Sequence, residues 1–302
     1  MCVKHGDVPD SLILPKRSIE LLTDRHRPQE KGGFADIYIG RWLNQLVGIK
    51  TFRISGSEAI ETTMKDIAKE ATLWRRLDHP NVVPFYGLDK DHFDLSMVCK
   101  WMENGHIVNF LGKDPSASRP QSILEVARGL EYLHSEHVGI IHGDLKGGNI
   151  LVDEYKRARL SDFGLSIVAY GCHTLNTVTQ MSNFSSSLRW TAPEILDPEE
   201  FGLSSAVPSR EGDVYAFAMV MWEIFTGKVP FPDARNEGKV VRIIMSGTRP
   251  ARPLEAVSLG LSDSVWSVME ECWAADPSTR PTISQVIASL EAEWCLDVAS
   301  TV

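Results

Sequence analysis

Val214–Phe225 is the most constraining stretch of this sequence, apolar almost without interruption and broken only by Glu223. It is too short to cross a bilayer, which takes about 20 apolar residues. A helix that is apolar on all sides has to be wrapped by other elements, so Asp213–Thr226 predicts a central helix deep inside a large core. The chain has 302 residues, 43% of them apolar and 24% charged, which supplies such a core and excludes a disordered or fibrous chain. The 31 Lys and Arg against 40 Asp and Glu leave a formal charge of −9. That balance argues against nucleic acid as the main partner, because phosphate backbones are bound by dense basic surfaces. A small anionic ligand needs only local positive charge. The five cysteines are scattered without a CxxC pair, suggesting neither a zinc site nor a disulfide framework. Reduced thiols, the lack of a signal-like N-terminus and the lack of a membrane segment predict a soluble, cytoplasmic protein.

Around this helix the chain changes character. Asp36–Gly40 alternates and Leu46–Lys50 is short and apolar, predicting a pair of strands, with a further strand at Leu95–Cys99. Between them, Ile60, Met64, Ile67, Ala71 and Trp74 mark one face of a helix over Glu58–Leu77, which His79-Pro80 stops. After Gly105 the pattern is mostly helical. A loop at Pro115–Pro120 leads into a helix with Ile123, Val126, Leu130 and Leu133 on one face, and a last helix from about Thr282 turns Ile283, Val286 and Leu290 inward. A small β-rich part followed by a larger α-rich part predicts two lobes with a ligand cleft between them.

Three polar blocks carry the chemistry: His142-Gly143-Asp144-Leu145-Lys146-Gly147-Gly148-Asn149, then Asp162-Phe163-Gly164, then Ala192-Pro193-Glu194. The first alone reads equally well as a polar loop. All three in this order closely resemble the eukaryotic protein kinase catalytic domain of serine/threonine type, tyrosine-kinase-like group. The resemblance implies an α+β, bilobal kinase fold, with a small antiparallel β-sheet N-lobe carrying one key helix and a larger, mainly helical C-lobe. Its expected extent is 26–293: N-lobe about 26–101, hinge about 100–105, C-lobe about 105–293, with 1–25 and 294–302 as short extensions.

The same resemblance implies roles. Lys50, in Val47-Gly48-Ile49-Lys50, meets the α- and β-phosphates of ATP, and Glu70 on the first helix holds that lysine. Asp144 orients the acceptor hydroxyl and takes its proton, and Lys146 steadies the γ-phosphate. Asn149 and Asp162 supply hard oxygen ligands suited to Mg²⁺. Adenine is expected on the backbone at Lys100 and Met102, after a gatekeeper at Cys99, with Ile37 and Leu151 sandwiching its ring and Gly32 and Gly33 in the phosphate loop. Asp213 fixes the catalytic loop, and Arg280 pairs with Glu194. Lys146 two residues after Asp144, and Ser187 five before Ala192, fit protein serine/threonine substrates. Arg189–Glu194 and Trp101–Gly105 resemble the tyrosine-kinase-like group, which mostly phosphorylates the same hydroxyls.

The sequence departs from the family in three places. Glu30, Gly32 and Ala35 fall on the three glycine positions of the phosphate loop, so a carboxylate stands where flexible backbone is expected. Gly48 replaces an alanine and loses one methyl, worth about 0.8 kcal/mol when buried. Weakened rather than abolished nucleotide binding is the expectation. Gly143 stands where an arginine would receive a phosphorylated activation loop, so activation is expected not to depend on that docking. The hydroxyls at Thr174, Thr177, Thr179, Ser182, Ser185, Ser186 and Ser187 read equally as a solvated loop. A catalytically silent scaffold that binds nucleotide or partners is the alternative reading, with a small-molecule kinase third.

Overall fold

A computed structural model describes residues 9–31, 35–53, 67–68, 70–162, 167–168 and 187–298. The chain divides into two units, 1–103 and 104–302.

Among the described residues the first unit holds six strands: β1 (Ile19–Leu21), β2 (Glu30–Lys31), β3 (Ala35–Trp42), β4 (Gln45–Phe52), β5 (Phe85–Asp89) and β6 (Ser96–Lys100). They order β1-β3-β4-β6-β5, with β2 also on β3, and every pairing is antiparallel. The three strands expected from the sequence are β3, β4 and β6. A two-residue turn at Leu43-Asn44 joins the first two, both residues at positive φ (48° and 62°). That mirror-image turn matches strand twist and sets the register from Trp42↔Gln45 to Ala35↔Phe52. Ile19, Tyr38, Val47, Ile49 and Val98 form the core on one side of the sheet.

Of the helix expected over 58–77, residues 67, 68 and 70–74 are helical, with Ile67, Ala71 and Trp74 buried as their spacing requires. Residues 58–66 and 69 lie outside the described residues. The chain leaves the helix at Arg75-Arg76, a few residues ahead of Pro80. Strand β5 carries an irregularity between Phe85 and Gly87. Gly87 has φ +155°, and a Cβ there would lie 2.7 Å from the Leu12 carbonyl and 2.9 Å from Leu14. The N-terminal segment reaches this point because Leu14 N–H donates to the Leu88 carbonyl (2.9 Å).

In the second unit, helix Arg119–His134 is capped by Ser118, whose side chain accepts from the Gln121 N–H, and Ile123, Val126, Leu130 and Leu133 are completely enclosed. The central helix runs Arg210–Thr226, capped by Ser209 at one end and by left-handed Gly227 at the other, with every residue from Gly212 to Phe225 buried. Helix Ile283–Val298 buries Ile283, Val286 and Leu290. Short strands frame the polar loops: β7 (Gly105–His106), β9 (Ile150–Val152) and β10 (Ala158–Leu160) in one sheet, β8 (Ile140–Ile141) and β11 (Ile167–Val168) in another.

Asp153 closes the β9–β10 hairpin. Its side chain is fully enclosed; it accepts the Tyr155 and Arg157 backbone N–H groups (2.9 Å each) and the Arg159 guanidinium (2.9 Å). Burial alone would raise its pKa, but the Arg157 N–H and the Arg159 and Arg157 charges outweigh burial and hold it below the ordinary value. A carboxyl depressed in the fold stabilises fully above its unfolded pKa, about 3.9. That contribution drains away as pH falls through the lower folded value. Asp153→Asn should therefore lower the thermal midpoint at pH 7 and flatten the acid limb of midpoint against pH below about 4; an unchanged acid limb would contradict this account. Gly87→Ala should cost about 1–3 kcal/mol in denaturant unfolding, since it combines a disfavoured φ with a backbone clash.

Candidate active site

The loop after β8 is built onto the central helix. Asp213, 2% exposed, accepts the His142 N–H and the Gly143 N–H (2.8 Å each) and lies 2.8 Å from His134 Nε2. A buried carboxylate demands such partners, and here they are the loop's own backbone. The His142 ring is enclosed, and burial lowers its pKa against the opposing pull of Asp213, Asp144 and Asp162. The Asp213 anchorage expected from the resemblance is formed.

The next residues converge. Lys146 Nζ lies 2.9 and 3.2 Å from the Asp144 carboxylate oxygens and 2.6 Å from Ser187 Oγ. Asn149 Nδ2 donates to the Asp144 carbonyl (2.7 Å) and to Asp144 Oδ2 (2.8 Å). The Asn149 carbonyl in turn accepts from the Ser161 N–H (2.9 Å) and Ser161 Oγ (3.0 Å). Ser161 leads directly into Asp162, an aspartate in the left-handed region (φ 58°). Asp144, Lys146, Asn149 and Ser187 thus form one hydrogen-bonded group, and Asp162 follows Ser161 in the chain. Gly143, Asp144, Ser187, Thr191, Pro208 and Ser209 line a small open pocket beside it.

The donor chemistry fits Mg²⁺. With Nδ2 turned to Asp144, the Asn149 amide presents its oxygen elsewhere, and Asp162 adds a carboxylate. Among the described residues no group of three or more His, Cys, Asp or Glu could hold a metal by itself. Two oxygen donors with the remaining positions left to phosphate and water is the arrangement magnesium favours.

In the first unit, Lys50 sits on β4 opposite Ile37 on β3 and Met97 on β6, its Nζ 5.4 Å from the Phe52 ring centroid. Glu70 lies in the helical stretch 70–74, partly buried. Lys100 ends β6 with its N–H given to the Pro84 carbonyl (2.9 Å), and the Met102 side chain is buried. Glu30 is on β2 opposite Ile37. A Cβ at Gly48 would rest 3.5 Å from Cys99 Sγ and 3.6 Å from Trp101, ordinary contact, so packing does not demand glycine there. Leu151, in the second unit, is partly buried on β9 opposite Arg159. Gly32, Gly33, Phe163, Gly164 and the hydroxyls from Thr174 to Ser186 lie outside the described residues.

Arg280 meets Glu194 through two parallel bonds (2.6 and 2.8 Å), both residues buried, forming the pair that the resemblance implied. Sequence reasoning missed two further anchors. Arg189 donates to the carbonyls of Pro230, Phe231 and Ala234 (2.6–2.7 Å). Glu223 Oε2 accepts from the Gly147 N–H and Trp190 Nε1 (2.9 Å each). The available signal was Glu223 itself, the lone charge within Val214–Phe225.

The family described as protein tyrosine and serine/threonine kinase matches residues 25–290, and the chain belongs to it. Its relatives include the probable serine/threonine-protein kinase drkC of Dictyostelium discoideum, 33% identical over 87% of this chain and 33% of its own length. The serine/threonine-protein kinase STY17 of Arabidopsis thaliana is 29% identical over 86% of this chain and 42% of its own. The cytoplasmic tyrosine-protein kinase BMX of Homo sapiens is 29% identical over 95% of this chain and 40% of its own. The serine/threonine relatives support the serine/threonine type, and the α+β kinase architecture agrees with the family. The chain spans well under half the length of each of these relatives.

Arg280→Ala leaves the Glu194 carboxylate buried without its partner, and should cost about 3–5 kcal/mol in denaturant unfolding. A loss below about 1 kcal/mol, typical of exposed pairs, would show the pair to be unimportant.

Proposed function

We propose that the chain is an ATP- and Mg²⁺-dependent protein serine/threonine kinase. The observation that carries this reading is Lys146 bridging the Asp144 carboxylate and Ser187 Oγ. A cation held there serves a reaction whose transition state spreads negative charge over phosphoryl oxygens. The acceptor oxygen bonds to the γ-phosphorus, the bond from that phosphorus to the ADP oxygen breaks, and the hydroxyl proton passes to Asp144. Asn149 holds Asp144 by two hydrogen bonds, so the base meets its substrate already oriented. Magnesium, held by Asn149 and Asp162, would neutralise phosphate charge. Lys50, kept in place by Glu70, serves the α- and β-phosphates. Ile37, Leu151 and the backbone at Lys100 and Met102 take the adenine, with Gly32 and Gly33 in the phosphate loop.

The proposed substrates are protein hydroxyls, with no role for nucleic acid given the −9 charge. Among the described residues no helix is long and apolar enough to cross a membrane. A cytoplasmic setting is supported by the scattered cysteines, which form no CxxC pair. The second reading, a nucleotide- or partner-binding scaffold, is favoured by Glu30, which brings a carboxylate to the strand entering the phosphate loop.

Incubation with Mg·ATP and a generic protein substrate, followed by phosphoamino-acid analysis, separates the readings. Phosphoserine and phosphothreonine should form, and Asp144→Asn should reduce the rate about 100-fold or more. Phosphotyrosine alone would overturn the acceptor assignment. Thermal stabilisation by Mg·ATP without turnover would establish the scaffold instead.

A further inference from the structure

We infer that residues 12–29 form a positioning strap for nucleotide binding: they tie together two distant strands of the first unit's sheet and fix strand β3, which carries Ile37. This inference rests on the nucleotide site proposed above.

Strands β3 and β5 lie at opposite ends of the path β3-β4-β6-β5. The N-terminal chain touches both. Ile13 bridges Leu88 of β5 in parallel, and the Leu14 N–H donates to the Leu88 carbonyl (2.9 Å). Farther on, Ile19 lies opposite Trp42 of β3. Each receiving strand carries glycine where the strap passes. At Gly87 a Cβ would lie 2.7 Å from the Leu12 carbonyl and 2.9 Å from Leu14, and at Gly40 it would lie 3.0 Å from Ile19 and 3.1 Å from the Glu20 carbonyl. Leu12 and Ile19 are buried, Leu14 packs against the core of the sheet, and the Arg17 N–H is held by the Asp91 carboxylate.

The same segment then runs along the outer side of β3. The Leu22 and Thr23 N–H groups donate to the Ile39 carbonyl (2.9 and 3.3 Å), and Thr23 Oγ1 accepts the Ile39 N–H (3.1 Å). The chain leaves the sheet over 24–28, pinned by the Tyr38 hydroxyl, which donates to the Arg25 carbonyl (3.1 Å). It returns where the Gln29 N–H donates to the Ile37 carbonyl (2.8 Å). A strand without such an outer partner frays or pairs with another chain. Side chains alternate along a strand. Tyr38 faces the core, so Ile37 projects to the other side, beside Lys50 on β4. Ile37 and Lys50 are the residues proposed for the adenine and for the phosphates. Fixing β3 therefore fixes the spacing of groups that meet the nucleotide. The part of the strap that reaches β5 precedes residue 25, where the family match begins.

The test uses the full chain as wild type, Leu14→Asp, Leu14→Met and Thr23→Val, well below every thermal midpoint. Readouts are the Kd for Mg·ATP, steady-state kinetics on a peptide substrate, thermal unfolding, and hydrogen exchange at the Ile39 amide. Leu14→Asp puts a charge where the strap meets Gly87. It should raise Kd and KM for Mg·ATP about tenfold, with kcat at saturating nucleotide within about twofold of wild type. Leu14→Met keeps an apolar side chain of similar volume and should bind nucleotide within about twofold of wild type. Thr23→Val removes the hydroxyl bonded to Ile39. It should quicken Ile39 exchange and raise Kd about threefold or more with little change in thermal midpoint, which keeps the test decisive should Leu14→Asp not fold. A strap that only stabilises the fold would lower the thermal midpoint and leave Kd within about twofold of wild type in every variant that folds. That result would overturn the inference, as would equal loss of affinity in Leu14→Met and Leu14→Asp. Wild type that binds no Mg·ATP would overturn the nucleotide site and this role together. Binding without turnover would overturn the kinase reading alone, because Kd still decides the role of the strap.

Discussion

Asp213 is the interaction on which the catalytic loop depends. A carboxylate sealed inside an apolar helix would be prohibitively costly without partners. It recruits two consecutive backbone N–H groups and a histidine ring from other elements. Those N–H groups belong to His142 and Gly143, so the backbone immediately before Asp144 is set by the central helix. The orientation of the proposed base therefore derives from a buried structural acid on the central helix. Because the helix is enclosed on all sides, that anchor has little freedom to shift.

The segment 187–191 is held with similar redundancy. Ser187 is bonded to Lys146, Arg189 to three carbonyls of the 230–234 loop, Trp190 to Glu223, and Thr191 Oγ1 to the Ser187 carbonyl. Gly143 offers no side chain to receive a phosphate. The contacts at this segment are neutral or charge-assisted bonds encoded in the chain itself.

Legibility followed the range of the physical signal. Local periodicity revealed β3, β4, β6 and the three long helices, because each has an apolar face or is apolar throughout. Strands β1 and β5 escaped it. Ile19–Leu21 is too short to show alternation, and β5 is irregular at Gly87, where Leu12 and Leu14 leave no room for a side chain. At the site, motif spacing marked Asp144, Lys146 and Asn149, but Glu223, Gly147 and Trp190 bear no spacing relationship to one another. They meet only because the central helix passes behind the loop.

The sequence by itself determined the family, the α+β class, the central buried helix and the polar residues of the catalytic loop, since these reside in composition, periodicity and short-range motifs. Only the tertiary structure decided which carboxylate receives which N–H group, that Ser187 reaches Lys146, and that a Cβ at Gly147 would meet the Glu223 carboxylate. Those are contacts between residues 33 to 76 positions apart. Hydrogen bonds of that range are fixed by packing around a shared core, which no local pattern of residues encodes.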